Sequence, residues 1–118
     1  MDYKFINTEY LDSVSDGDPE ITRELVKMFR EQTVEIFNDM KLHFASKNYI
    51  LLGQLAHKAK SSVAIMGMHD LAIMLKAFEL QAKEGKESHL YESYILRFKT
   101  ETDAAVIELE DLITNRIN

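Results

Sequence analysis

The stretch Leu55-Ala56-His57-Lys58-Ala59-Lys60-Ser61-Ser62-Val63-Ala64-Ile65-Met66-Gly67 decides how this chain is read. At about 100° per residue, a helix through it gathers Leu52, Leu55, Ala56, Ala59, Ser62, Val63 and Met66 into one apolar arc. His57 lies outside that arc, on a side shared with Gly53, Lys60, Ser61 and Ala64. An exposed helix face ordinarily carries long charged side chains. Small or cationic neighbours instead suit an imidazole that a large partner must reach. The plainer alternative packs the small residues against another helix, which leaves His57 and Lys60 awkwardly beside the contact.

Outward from this stretch, the sequence reads as helix almost throughout. Before it, Phe5-Ile6 and then Asn7-Thr8 open the chain, and Thr8 is expected to cap a short helix carrying Tyr10, Leu11 and Val14. A turn at Ser15-Asp16-Gly17 follows. Asp18-Pro19-Glu20 is a strong helix start, with an N-cap acid, proline at the first helical position and a carboxylate in the first turn. From there Ile21, Leu25, Met28, Phe29, Gln32, Ile36, Met40 and Phe44 keep helical spacing until Ser46-Lys47-Asn48. After it, Gly67 suits a left-handed C-terminal cap. Asp70 is expected to cap the next helix, whose stripe is Leu71, Met74, Leu75, Phe78 and Ala82, and Gly85 closes that helix. Ser88 is expected to cap the last, with Tyr91, Tyr94, Ile95, Phe98, Thr102, Ala105, Val106, Leu109, Leu112 and Ile113 inward.

The expected fold is therefore all-α: an antiparallel up-down four-helix bundle preceded by a short N-terminal helix. The bundle helices fall at roughly 19–45, 48–66, 70–84 and 89–115, within a single domain spanning residues 1–118. Composition agrees, since one proline, four glycines and no tryptophan offer few of the turns that an all-β fold needs. The 118 residues suffice to bury a core.

A net charge of −6 argues against general nucleic-acid binding, although Lys58 and Lys60 form a local basic patch. The absence of cysteine removes disulfides, zinc-thiolate sites and thiol catalysis. The N-terminus shows no charged-then-apolar leader and no run approaches a membrane span, so a cytoplasmic chain with no membrane association is expected. The histidines form neither a Glu-x-x-His nor a His-x-x-x-His pair, so no metal site is expected. His43 reads as a packed or boundary residue, and His69 and His89 as solvated residues near helix starts.

The motif His57-x-x-Lys60-Ser61-Ser62, with Gly67 ten residues past the histidine, resembles the signature of histidine-containing phosphotransfer (HPt) domains. That signature runs His-x-x-Lys-Gly-Ser with a glycine at the same distance, so Ser61 departs from it by one small residue. The likeness extends to Tyr10-Leu11, to Gly17-Asp18-Pro19-Glu20, to the long helix before His57, and to the Leu71–Leu80 helix followed by Gly85.

The resemblance implies a phosphorelay intermediate that accepts a phosphoryl group on His57 from one receiver aspartate and passes it to another. Lys60 would balance charge on the phosphoryl oxygens and Ser61 would donate a hydrogen bond to them. Glu79, at the ungapped position of the family's orienting partner, would accept from Nδ1–H. Receiver docking would use Gly53, Lys58 and Ala64 beside them. The implied partners are response-regulator receiver domains and a hybrid sensor histidine kinase. No cofactor is expected on this chain, because the Mg²⁺ belongs to the receiver. Without a glycine-rich ATP loop, the chain is expected to be a phosphotransfer protein rather than an enzyme with its own kinase activity. It is expected to be a monomer, its apolar stripes being used within one bundle. The competing reading is a non-catalytic helical adaptor or dimerisation bundle in which His57 is incidental. In that reading Ile73, Ala77 and Leu80 supply a second apolar face.

Overall fold

Helix boundaries follow from local capping chemistry in the computed structural model, which describes residues 3–117, with the side chains of 116 and 117 left aside. Met1, Asp2 and Asn118, the ends of the expected domain 1–118, lie outside the described residues. Helix α1 spans Thr8–Ser15. Its cap is Asn7 rather than Thr8: Asn7 is extended (φ −114°, ψ 106°) and its Oδ1 accepts from Tyr10 N–H at 3.0 Å. Helix α2 runs Pro19–Ala45, started by Asp18, whose carboxylate accepts from Glu20 N–H at 2.9 Å. Asn48 caps α3, Tyr49–Ile65, and Gly67 follows it in the left-handed region at φ +74°.

Helix α4, His69–Glu84, restarts so soon after Gly67 that no room remains for Asp70 as a cap. Met68 holds the cap position without a side-chain bond, and Asp70 lies in the first turn, where its charge meets the positive end of the helix dipole. Gly85 ends α4 at φ +67°. Ser88 is not a cap either. It opens a single 3₁₀ turn, Ser88–Leu90, that runs directly into α5, Tyr91–Leu112, and a π-helical turn covers Ile113–Ile117. Among the described residues the fold is all helical, with no strand. No helix among them is long and apolar enough to cross a membrane.

The helices pack around one hydrophobic cluster. Helix α3 lies most extensively on α4, α2 packs against both α3 and α5, and α4 touches α5. The apolar arc of α3 points inward, with Leu52, Ala56, Ala59 and Val63 fully buried. Helix α2 differs from its expected stripe. Ile21 and Met28 are each 45% exposed, while Thr22, Val26 and Thr33 are buried. A threonine can enter the core cheaply when its hydroxyl bonds back to its own helix. Thr22 donates to Asp18 O at 3.1 Å and Thr33 to Arg30 O at 3.2 Å, so the buried face turns by about one residue and releases Ile21 and Met28 to the surface.

The N-terminal segment is tied across the end of this core. Buried Glu108 on α5 accepts from the backbone N–H groups of Lys4, Phe5 and Ile6 at 2.9, 2.9 and 3.1 Å. Asn7 N–H donates to Met66 O at 3.1 Å. The chain passes so close to Gly67 that a Cβ there would lie 2.4 Å from Asn7 Cβ. Gly67 thus serves both a left-handed turn and a close crossing.

Candidate functional site

The site forms beside a tight contact between α3 and α4. At that crossing stands Gly53. A Cβ on Gly53 would lie 2.8 Å from Lys83 Cγ and 3.2 Å from Glu79 O and Lys83 N. The sequence reading put Gly53 on an open docking face. It is instead buried under α4, and its missing side chain lets the two helices close on each other. His57, one turn further along α3, then comes within reach of α4.

His57 extends over Glu79. Its Nδ1 is 3.1 Å from both Glu79 carboxylate oxygens, while the side chain as a whole remains 58% exposed. Glu79 is buried, its side chain only 9% exposed, and it accepts from two ammonium groups as well. Lys83 Nζ lies 2.7 Å from Oε2 and Lys60 Nζ 3.3 Å from Oε1. The small-residue packing and the placement of His57 and Lys60 are therefore compatible, since both polar groups turn toward the same buried acid.

A carboxylate taken from water into a helix interface is costly unless it is paired. Here the Lys83 ammonium does most to hold the Glu79 pKa at about 2, below its ordinary 4.5. Partial burial opposes this, and the contacts from His57 and Lys60 reinforce it. An ionised carboxylate only accepts, so the neutral imidazole nitrogen facing it carries the proton. The Nδ1–H tautomer leaves its lone pair on Nε2, which has no protein partner among the described residues. The geometry thus supplies a fixed imidazole with a free nucleophilic nitrogen, beside a local excess of positive charge.

The other residues singled out by the sequence divide. Lys58 is exposed on the same helix. Ser61 is exposed, with its hydroxyl donating back to His57 O at 3.4 Å. Ala64 is half-buried one turn beyond Ser61. His43 is half-buried, His69 meets the edge of the Tyr10 ring, and His89 pairs with Glu87 at 3.5 Å, all apart from this cluster. Lys83 is the site residue that the sequence reading missed. Its spacing of four from Glu79 was a legible helix pair.

No protein-family model, curated protein or solved structure matches the chain.

Proposed function

We propose that this chain is a phosphorelay intermediate of the HPt type, and that its four long helices form an antiparallel up-down bundle presenting His57. The observation that carries the reading is the exposed imidazole whose Nδ1 is held by a buried carboxylate, itself kept ionised by two lysines. A solvated histidine needs no buried acid beside it, so the pairing of Glu79 with Nδ1 is the feature that sets His57 apart from His43, His69 and His89.

The Nε2 lone pair attacks the phosphorus of an aspartyl phosphate on a receiver domain. The N–P bond forms as the P–O bond to the aspartate breaks, and the carboxylate leaves with its electron pair. The ring retains its Nδ1 proton throughout and becomes a phosphorylated imidazolium whose positive charge faces Glu79. Return transfer reverses the electron flow when a second aspartate attacks. No proton has to be found or lost in either direction, which suits a shuttle. Lys60 and Ser61 lie on the His57 face to meet the phosphoryl oxygens, and phosphoryl transfer asks mainly for such alignment and charge balance.

The surface around His57 supports a receiver as partner. Lys60 and Lys83 hold the carboxylate that faces the imidazole, Lys58 is exposed next to His57 on α3, and Lys76, one turn before Glu79, shares that side of α4. These cations complement an acidic phosphorylation pocket in a chain of net charge −6. Met28 and Ile65, exposed around the half-buried Leu25 at the α2–α3 groove, add an apolar margin beside Ser62, whose hydroxyl donates to Gln32 at 3.1 Å. We place the chain in the cytoplasm as a monomer between a hybrid sensor histidine kinase and a response regulator, neither ATP-dependent nor metal-dependent in its own right.

The test is transfer from a purified phosphorylated receiver domain. The parent chain should take up the label in an acid-labile, base-stable form, and His57→Gln should take up none while keeping its helicity and melting temperature. Equal labelling of parent and variant would remove His57 from the reaction. Ile73 at 69% and Leu80 at 54% exposure favour a second reading, a helical adaptor docking through α4, and that reading predicts partner binding indifferent to His57→Gln.

A further inference from the structure

The two lysines on Glu79 are not equivalent, and the difference assigns them separate tasks. Lys83 holds Oε2 at 2.7 Å from the same helix as Glu79, with the glutamate N-terminal to the lysine, the favourable order for a pair four residues apart. The root of its side chain lies over Gly53, where any larger residue on α3 would displace it. Lys60 reaches the other oxygen, Oε1, at 3.3 Å, and it does so from α3, three residues from His57. A lysine so placed can turn toward a group on His57 without leaving its helix face, and its longer bond to Glu79 is the weaker tie.

We propose that Lys83 is a positioning residue that holds Glu79, and through it the His57 ring, so that Lys60 is free to leave the carboxylate for an arriving phosphoryl group. The assignment rests on the phosphotransfer reading. When Lys60 turns away, Oε2 keeps its ammonium partner, Glu79 stays ionised, and Nδ1–H stays tethered while Nε2 carries the phosphorus. With one lysine only, charge balance on the phosphoryl group and orientation of the ring would compete for the same cation.

The test compares Lys83→Met, Lys83→Arg and Lys60→Met, each keeping an apolar stem at its helix position. In ¹⁵N spectra the His57 ring of the parent should be in the Nδ1–H tautomer. Lys83→Met should shift a measurable fraction to the other tautomer and slow phosphorylation by a phosphoramidate roughly tenfold. Lys83→Arg should restore both. Lys60→Met should keep the parent tautomer but change the lifetime of the phosphohistidine, which Lys83→Met should not. A parent-like tautomer and rate in Lys83→Met would overturn the assignment, as would a tautomer change in Lys60→Met matching that of Lys83→Met. If the parent is never phosphorylated, the phosphotransfer reading fails by itself. The tautomer comparison still decides whether Lys83 holds the ring.

Discussion

Glu79 is the residue on which the proposed chemistry turns, and its ionisation links the site to stability. In the unfolded chain it protonates near 4.5, whereas in the folded protein the Lys83 contact, aided by His57 and Lys60, holds it ionised to about pH 2. A depressed carboxylate pKa adds stability that is complete above pH 4.5 and is lost as pH falls toward 2. Glu79→Gln should therefore destabilise the protein by about 1–3 kcal/mol at pH 7, and by much less at pH 3. Chemical denaturation of both proteins at the two pH values checks this. A difference that does not change with pH would mean that Glu79 acts through shape and not charge. In the variant the His57 ring also loses its anionic acceptor, so phosphorylation at Nε2 should slow even where the fold persists.

At the scale of the element, the α3–α4 crossing sets the geometry of the site, and Gly53 sets the crossing. Gly53→Ala places a methyl group 3.2 Å from α4 backbone atoms and 2.8 Å from Lys83 Cγ. Helix propensity alone favours alanine there by up to about 1 kcal/mol, but overpacking opposes it at about 1–3 kcal/mol. The melting temperature should fall, and the Lys83–Glu79 pair should be disturbed with it. A rise in melting temperature would show that the helices separate freely. Gly67→Ala should cost more than Gly53→Ala, because a left-handed φ of +74° and a 2.4 Å approach to Asn7 Cβ are violated together. Comparing the denaturation midpoints of the two variants tests that order.

This scale also marks how far the sequence could be read. The arc through Leu52, Ala56, Ala59 and Val63 was legible because these residues recur at helical spacing, and Gly67 because a left-handed cap favours glycine. Gly53 was misplaced because a small residue looks alike on an open face and at a tight crossing. The Glu79–Lys83 pair was legible from its spacing of four and was overlooked, whereas the passage of the Lys83 stem over Gly53 depends on the offset of α3 on α4. The buried face of α2 was misread because Thr22 and Thr33 satisfy their own hydroxyls inside the core, which a search for apolar residues does not register.

Over the whole molecule, the N-terminal segment closes one end of the helical core through Glu108 above all, with Tyr3 Oη donating to Asp111 at 2.7 Å and Asn7 N–H to Met66 O at 3.1 Å. Glu108 accepts from the backbone N–H groups of Lys4, Phe5 and Ile6, while Ile6 and Leu11 enter the core beneath. Glu108→Ala leaves those donors partly buried without partners, at a cost of about 1–3 kcal/mol. Amide hydrogen exchange at Phe5 and Ile6 should accelerate in the variant while exchange within α3 falls only with global stability. Unchanged protection at these amides would mean that the apolar contacts alone hold the segment.

In the proposed function the helices serve to present Nε2 of His57 as a nucleophile. The most direct measurement is intact mass after incubation with a small phosphoramidate donor, before and after brief acid treatment. The expected result is gain of one phosphoryl group that acid removes and that His57→Gln never acquires. No gain by the folded parent chain with a competent donor, or a phosphoryl group that survives acid, would contradict it.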